Sequence, residues 1–268
     1  MSLIQSIQAD RLEIRIFEDR AESGADAARD GADALRRLLA ERAGYPEDKR
    51  FVNVIFAAAP SQNDTLRALA AEPDIDWGRV RAFHMDEYVG FANTRKESFG
   101  SYLYEHIFGC VPFGEVYYLH GDAEDPAQEC ARYARLLTAF PTDIVFLGIG
   151  ENAHIAFNDP WVAEFKDPEL VKIVPLDPVC RKQQVHDGCF PRLEDVPTHA
   201  FTLTIPALTK AAHLFCTVPS ATKAEAVCAV AKAPIGEGVP ATVMRLHPHA
   251  VMYCDRDSGK LLLDPEPR

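Results

Sequence analysis

The chain has 268 residues, of which 47% are hydrophobic and 25% are charged, the composition of an ordinary globular protein. Its formal net charge of −12 disfavours non-specific binding to nucleic acid or to an anionic membrane. Seven cysteines without C-x-x-C spacing, no secretory signal and no long apolar stretch together predict a cytoplasmic protein that does not span a membrane.

Short β-branched or aromatic runs alternate with amphipathic helical patterns along nearly the whole chain. The predicted strands are near 13–18, 51–56, 79–85, 115–119, 143–149, 170–176, 200–205, 213–218 and 250–255. The predicted helices are at 21–42, 64–72, 98–108, 125–137 and 220–233. This alternation predicts an α/β fold, a doubly wound, mostly parallel sheet with helices on both faces (Rossmann-like), in a single domain over residues 1–268.

Three polar segments follow predicted strands, where open parallel sheets bind their ligands. They are "AAAPSQND" at 57–64, "HMDEYVG" at 84–90 and "GIGENAHIAFNDP" at 148–160. In the second segment, the paired acids Asp86 and Glu87 could supply a general base if one is partly desolvated. A solvated turn is the alternative interpretation of the same two acids.

The third segment has the composition of a catalytic loop. Gly148 and Gly150 permit close approach of a ligand, and His154 is the natural proton carrier near neutral pH. Asp159 and Glu151 are the carboxylates near enough in sequence to orient or charge it. The alternative is a loop whose polar groups only satisfy their own backbone.

A later segment, "VPSATKAEAV" at 218–227, places Ser220 at a predicted helix cap and Lys223 in the first turn. A cation there opposes the helix dipole, so a bound anion such as a phosphate is one reason for its presence. An ordinary exposed lysine is the other interpretation.

Together these segments resemble the glucosamine-6-phosphate deaminase/isomerase family, within a superfamily that includes the 6-phosphogluconolactonases. The family pattern F-x-M-D-E-Y-x-G corresponds to "FHMDEYVG" at 83–90, and G-x-G-x-D-G-H-I-A-F-N-E-P corresponds to 148–160. The resemblance covers nearly the whole chain. The segment "FTLTIPALTKAAH" at 201–213 is closer to the lactonase pattern T-L-T-x-P-x-L-x-x-A.

The resemblance implies a sugar 6-phosphate as the small-molecule partner and a reaction that needs no metal or organic cofactor. Asp86 matches the base that moves a proton between C2 and C1, and His154 matches the histidine that promotes ring opening. Asp159 matches the acid that supports this histidine, and Lys223 matches a phosphate-binding lysine. The family also suggests a homo-oligomer.

Two parts of the chain depart from the family pattern. Asn152 stands where the family has an aspartate beside the histidine, and an amide cannot stabilise an imidazolium by charge. Ala153 replaces a glycine. The segment 57–64 lacks the glycines of the family's phosphate loop, so Ser61 and Gln62 are expected to replace some of those contacts.

The family's phosphate-binding arginine has no clear match, and "CRKQQVHDGCF" at 180–190 offers Arg181, Lys182 and His186. The residues expected to contact substrate are Ser61, Gln62, Glu87, Gly150, Ala153, Arg181 and Lys223.

Three functions are compatible with this sequence. The leading one is an isomerase or deaminase acting on an amino sugar phosphate, with an altered substrate or rate. Lactone hydrolysis is the second and is motivated by the segment 201–213. A sugar-phosphate-binding regulator without catalysis is the third, motivated by Asn152 and the glycine-free loop.

Overall fold

The computed structural model describes residues 3–186 and 188–263, which form two β-sheets flanked by helices. The strands are β1 (Leu3–Ala9), β2 (Leu12–Phe17), β3 (Val52–Phe56), β4 (Val80–His84), β5 (Asp86–Tyr88), β6 (Glu115–Tyr117), β7 (Ile144–Leu147), β8 (Val171–Pro175), β9 (His199–Leu203), β10 (His213–Val218) and β11 (Ala250–Asp255). The helices are α1 (Arg20–Glu41), α2 (Asn63–Ala71), α3 (Phe99–Leu103), α4 (Pro126–Ala139), α5 (Pro178–His186), α6 (Ile205–Thr209), α7 (Ala224–Lys232) and α8 (Arg256–Gly259).

Several short helical turns complete the chain trace. A π-helical turn at Tyr104–Phe108 continues α3. The 3₁₀ turns are at Glu47–Lys49, Pro60–Gln62, Trp77–Arg79, Leu193–Asp195, Ala221–Lys223 and Pro240–Leu246.

The larger sheet has eight strands in the order β1-β2-β11-β10-β7-β3-β4-β6. Every neighbouring pair is parallel except β1–β2, which is antiparallel. Successive side chains of β7 enter two separate cores, with Val145 and Leu147 in one and Ile144 and Phe146 in the other. The sheet is therefore covered on both faces, and the predicted α/β fold is confirmed.

The order of the strands reverses between β3 and β7. From β3 the chain moves outward through β4 to β6, and it then returns to β7 and moves the other way through β10 and β11. The loops that leave the carboxyl ends of β3 and β7 consequently diverge to opposite sides and open a crevice at this edge.

The smaller sheet consists of β5, β9 and β8, and its two pairs are antiparallel. The sequence pattern had predicted strands at 170–176 and 200–205 without separating them from the parallel sheet, and it had predicted 84–90 as a loop. The register places Asp86 of β5 opposite Thr202 of β9. This small sheet therefore fixes one end of the segment 84–90.

Helix α1 begins after the cap residue Asp19, whose side chain accepts a hydrogen bond from the Glu22 N–H. The predicted cap at Ser220 is wrong. Ser220 has a φ of 91° before the turn Ala221–Lys223, and its side chain makes no capping hydrogen bond. Within 3–186 and 188–263, no helix has the length and the apolar character that crossing a membrane requires.

Close packing of α1 on the sheet leads to a first prediction. A Cβ atom at Gly31 would overlap the ring of Phe146. We expect Gly31→Ala to lower the free energy of unfolding by about 1–3 kcal/mol, although alanine is the better helix former. Denaturant unfolding measures this change. Gly44→Ala is the matched control, because its methyl group would meet open space. Equal stability of the two variants would show that α1 shifts away from Phe146 without penalty.

Candidate active site

A cavity of about 200 Å³ lies at the carboxyl ends of β3, β4, β7 and β10, where the strand order reverses. The predicted site residues that line it are Ser61, Gln62, Asp86, Gly150, His154 and Lys223. The structure thus brings together the three polar segments and the loop after β10. Asn152 and Asp159 lie behind His154, while Glu87, Ala153 and Arg181 are not part of the lining.

His154 is held by two side chains of its own loop. Its Nδ1 atom lies 2.8 Å from Asn152 Oδ1 and 3.1 Å from Asp159 Oδ1. The Asn152 amide nitrogen donates a hydrogen bond of 2.8 Å to the same Asp159 oxygen. Asp159 is fully buried, with 0% of its surface exposed. The carboxylate therefore acts on the imidazole directly, and the amide aligns both groups.

This network fixes the tautomer of the histidine. An ionised carboxylate only accepts hydrogen bonds, so the Asn152 NH2 group faces Asp159 and its carbonyl oxygen faces His154. Nδ1 must then carry the proton. In the neutral imidazole, Nε2 keeps its lone pair and is the ring nitrogen left to act in the cavity as a base.

Close backbone contacts shape the loop around the imidazole. A Cβ atom at Gly150 would overlap the His154 ring, so only glycine allows the ring to lie against the backbone here. Ala153 adopts a left-handed φ of 62°, although it replaces the glycine of the family pattern. Its N–H donates to the Gly150 carbonyl, and its own carbonyl accepts from the Ala241 N–H. These bonds hold the strained residue in place.

Asp86 faces the same cavity and is 8% exposed. Burial, and to a smaller extent the neighbouring Glu87 carboxylate, raise the pKa of Asp86 well above its usual range. Across the small sheet from Asp86, the hydroxyl of Thr202 accepts a hydrogen bond of 3.0 Å from the Phe157 N–H. The small sheet thereby connects Asp86 with the loop that carries His154.

Glu87 was predicted to contact substrate, but the structure places it on the opposite side of β5. Its carboxylate accepts hydrogen bonds from the backbone N–H groups of Tyr88, Phe99 and Gly100, at 2.9–3.1 Å. Burial raises the pKa of Glu87 to about 7, against the opposing effect of these three donors. Because neighbouring side chains of a strand point to opposite faces, Glu87 holds the start of α3 and does not reach the cavity.

The far end of the cavity is polar. The Gln62 amide donates hydrogen bonds of 3.1 Å to Ser61 Oγ and to the Thr217 carbonyl. Gly148 lies against both side chains, since a Cβ atom there would be 2.9 Å from Gln62 Nε2 and 3.4 Å from Ser61 Oγ. The loop 148–150 therefore spans the cavity from this polar end to the imidazole.

Two permanent cations belong to the described lining, and the sequence had indicated only one of them. Lys223 is buried to 6% exposure at the end of the turn after β10. Arg20, at the start of α1, also lines the cavity. The available signal for Arg20 was the one that identified Lys223, namely a cation in a first helical turn directly after a strand.

The segment 180–190 contributes differently from what the sequence suggested. The Arg181 guanidinium donates to the carbonyls of Leu193 and Val196, which turns it away from the cavity. His186 is 66% exposed and lies 4.0 Å from Glu151. Gln184 and Cys189 of this segment line the cavity instead, together with the rings of Phe99 and Phe157. None of these four had been predicted.

Over the described ranges, 3–186 and 188–263, no three His, Cys, Asp or Glu side chains are grouped so that they could hold a metal ion.

The geometry defines an α/β protein with an acid–base site at the switch point of its parallel sheet. Residues 18–253 match the family described as glucosamine-6-phosphate isomerases/6-phosphogluconolactonase, and the chain belongs to this family. The family resemblance stated from the sequence is thereby confirmed.

Similar proteins carry both names of the family. A glucosamine-6-phosphate deaminase of Listeria welshimeri is 34% identical over 211 residues, which cover 79% of this chain and 88% of that protein. One from Bacillus cereus is 37% identical over 187 residues, or 70% of each chain. A monomeric glucosamine-6-phosphate deaminase of known structure superposes with a TM-score of 0.81 at 25% identity, over 92% of this chain and 99% of that one.

A 6-phosphogluconolactonase structure from Thermotoga maritima has a TM-score of 0.67 at 18% identity, over 90% of this chain and 98% of that one. This likeness concerns the fold.

The position of Asn152 leads to a second prediction. An aspartate there would place a second carboxylate beside Asp159, where it repels Asp159 and cannot donate to it. We expect Asn152→Asp to lower activity by about 10-fold, because the alignment of His154 is disturbed. Asn152→Leu, which removes the donor without adding a charge, should also lose activity. Activity of Asn152→Asp at or above that of the wild type would contradict the role given to the amide.

A third prediction concerns Glu87. Glutamine keeps one acceptor oxygen but turns an NH2 group toward a backbone donor. We expect Glu87→Gln to lower the free energy of unfolding by about 1–3 kcal/mol while the Michaelis constant of the folded protein changes little. Unfolding and steady-state kinetics test both statements, with the exposed Glu105→Gln as control. A large rise in the Michaelis constant at unchanged stability would instead place Glu87 at the substrate.

Proposed function

We propose that this protein is a glucosamine-6-phosphate deaminase, which converts an amino sugar 6-phosphate and water to a ketose 6-phosphate and ammonia. The observation that carries the proposal is the pairing of two acid–base groups in one cavity. His154, aligned by Asn152 and Asp159, faces the same space as the buried Asp86. Membership of the family and the names of the relatives supply the substrate class.

In this proposal, His154 opens the sugar ring. Its Nε2 lone pair takes the proton of the C1 hydroxyl, and the bond between C1 and the ring oxygen breaks to give the open-chain aldehyde. The imidazolium then returns the proton to the released C5 oxygen. Asp159, 3.1 Å from Nδ1, stabilises the imidazolium by charge while it exists.

Asp86 then moves the proton that isomerises the open chain. Its carboxylate removes the proton from C2 and returns it to C1, while a second proton passes from the amine nitrogen to the C1 oxygen. The amine at C2 thereby becomes an imine, and the aldehyde at C1 becomes a primary hydroxyl. Water adds to the imine carbon, and ammonia leaves as the ketone forms. A carboxyl group whose pKa is raised by burial is a stronger base in its ionised form than an exposed one.

The polar end of the cavity holds the phosphate in this proposal. Lys223 supplies charge, and Ser61 supplies a hydroxyl donor whose oxygen is held by the hydrogen bond from the Gln62 amide. The turn Pro60–Gln62 offers few backbone donors, because the N–H groups of Gln62 and Asn63 already donate to the carbonyls of Ala59 and Pro60. Side chains therefore take the place of a glycine-rich phosphate loop.

The two other functions find less support in the site. No residue of 201–213, the segment that favours lactone hydrolysis, lines the cavity, and this segment forms parts of β9 and α6. A protein that only binds sugar phosphates would have no need of an aligned His154–Asp159 pair opposite Asp86. The cytoplasmic location and a homo-oligomeric state stay predictions from the sequence.

A fourth prediction tests this function with Asp86→Asn. We expect the wild-type protein to release ammonia and fructose 6-phosphate from glucosamine 6-phosphate, and the variant to be slower by about 10²–10⁴-fold. In the free wild-type enzyme, activity should fall as the pH drops through the raised pKa of Asp86, because the base becomes protonated.

The same variant has an expected effect on stability. Between the ordinary pKa of an unfolded aspartate and the raised pKa in the folded protein, only the unfolded chain releases its proton, so stability falls as pH rises. A neutral amide removes this penalty, and we expect Asp86→Asn to raise Tm by roughly 2–4 °C at neutral pH.

An inactive wild type, or a variant that turns over normally, would overturn the proposed function. If the wild type turns over 6-phosphogluconolactone but not glucosamine 6-phosphate, the result would favour the hydrolase.

A further inference from the structure

Arg20 is placed to act on an anion in the cavity. Among the described residues of the lining, the permanent cations are Arg20 and Lys223, and the only acid is Asp86. The pKa of that acid is raised by burial. A site with two fixed positive charges and one acid that resists ionisation favours an anionic ligand over a neutral one.

The Arg20 guanidinium is oriented by two contacts, one with the turn that follows β3 and one with the start of α2. Its Nε atom donates to Asp64 Oδ2 at 2.5 Å, and its Nη2 atom donates to the Pro60 carbonyl at 2.9 Å. Neither contact uses Nη1. The side chain is 46% exposed, so its remaining N–H groups are within reach of a ligand that enters from solvent.

Asp64 does not cancel the charge of Arg20, because it also binds Arg67. The Arg67 Nη2 atom donates to the other Asp64 oxygen at 2.5 Å. One carboxylate thus serves two guanidinium groups, and the cluster keeps a net positive charge. Arg67 does not line the cavity, which leaves Arg20 as the member that faces a ligand.

The contacts of Arg20 place it at the polar end of the cavity. It binds the Pro60 carbonyl, Ser61 and Gln62 follow in the same turn, and Gln62 binds the Thr217 carbonyl. The strand that contains Thr217 leads directly into the loop of Lys223. His154 lies at the other end of the span 148–150.

We propose that the Arg20 guanidinium binds the phosphate of the substrate, as the charged donor in a loop that lacks glycine. The inference rests on the proposed function for the identity of the sugar phosphate, but the anion site itself does not depend on turnover. A guanidinium offers parallel N–H donors that match phosphate oxygens, which an ammonium group does not. Arg20 would therefore determine selection for phosphorylated over unphosphorylated sugars.

The competing role for Arg20 is purely structural, since its contacts also connect α1 to the start of α2. The experiment separates the two roles with three variants. Arg20→Ala removes the charge and the donors, and Arg20→Lys keeps the charge alone. Arg67→Ala is the matched control, because it removes the other guanidinium from the same carboxylate without touching the cavity.

Calorimetric binding of inorganic phosphate and steady-state kinetics with glucosamine 6-phosphate are the measurements. We expect Arg20→Ala to weaken phosphate binding and to raise KM by roughly 10- to 100-fold at similar kcat, and Arg20→Lys to recover only part of the loss. Arg67→Ala should weaken phosphate binding far less than Arg20→Ala does, because it removes no donor from the cavity and acts only through the charge of Asp64, which Arg20 then balances alone. Thermal unfolding of each variant reports any structural effect.

Three outcomes decide whether Arg20 binds the phosphate. Unchanged phosphate binding in Arg20→Ala overturns the inference, and so does an equal loss in Arg67→Ala, which would assign both residues to the structure of the loop. Phosphate binding that depends on Arg20, in a protein without turnover, supports the inference while the proposed deaminase function fails.

Discussion

The site depends on one buried carboxylate, Asp159, and on two groups beside it, the Asn152 amide that donates to it and the imidazole of His154. Removing a carboxylate from water is costly unless hydrogen bonds and opposite charge replace its hydration. The Asn152 amide and the His154 ring provide these partners at 2.8 and 3.1 Å. The asparagine that departs from the family pattern is therefore the neutral donor that binds Asp159 and fixes the tautomer of His154.

The second constraint is the small antiparallel sheet. Without it, Asp86 and His154 would lie on two loops that leave neighbouring regions of the parallel sheet independently. Thr202 lies opposite Asp86 in this sheet and accepts a hydrogen bond from the Phe157 N–H, three residues beyond His154. The pairing of β5 with β9 and one side-chain hydrogen bond thus set the relative position of Asp86 and His154. Their spacing is held by regular backbone structure, which gives the precision that proton transfer requires.

How far the sequence could predict this molecule follows from the range of the interactions involved. The parallel strands were predictable because fully buried strands are continuous apolar runs, as at 51–56. Strand β5 was not, since three residues are too few to show a period. Asp86 and His154 could be identified as site residues from the sequence motifs at 83–90 and 148–160. Glu87 was misplaced because adjacency in sequence hides the alternation of a strand. The contacts that turn Arg181 away and bring Arg20 in join segments whose proximity only the fold determines.

Under the proposed function, an acidic protein takes an anionic substrate and uses a carboxylate as its base, and the electrostatics of the cavity are compatible with both. The chain carries a net charge of −12, but the described lining presents Arg20 and Lys223 against one protonatable acid. A phosphate placed between these cations neutralises them, which removes their stabilising effect on the Asp86 anion. The amine at C2, when protonated, acts in the opposite direction, because it brings a positive charge next to the carbon from which Asp86 takes its proton. Ionisation of Asp86 is thus favoured most by an amino sugar phosphate, because a sugar phosphate without an amine lacks that positive charge.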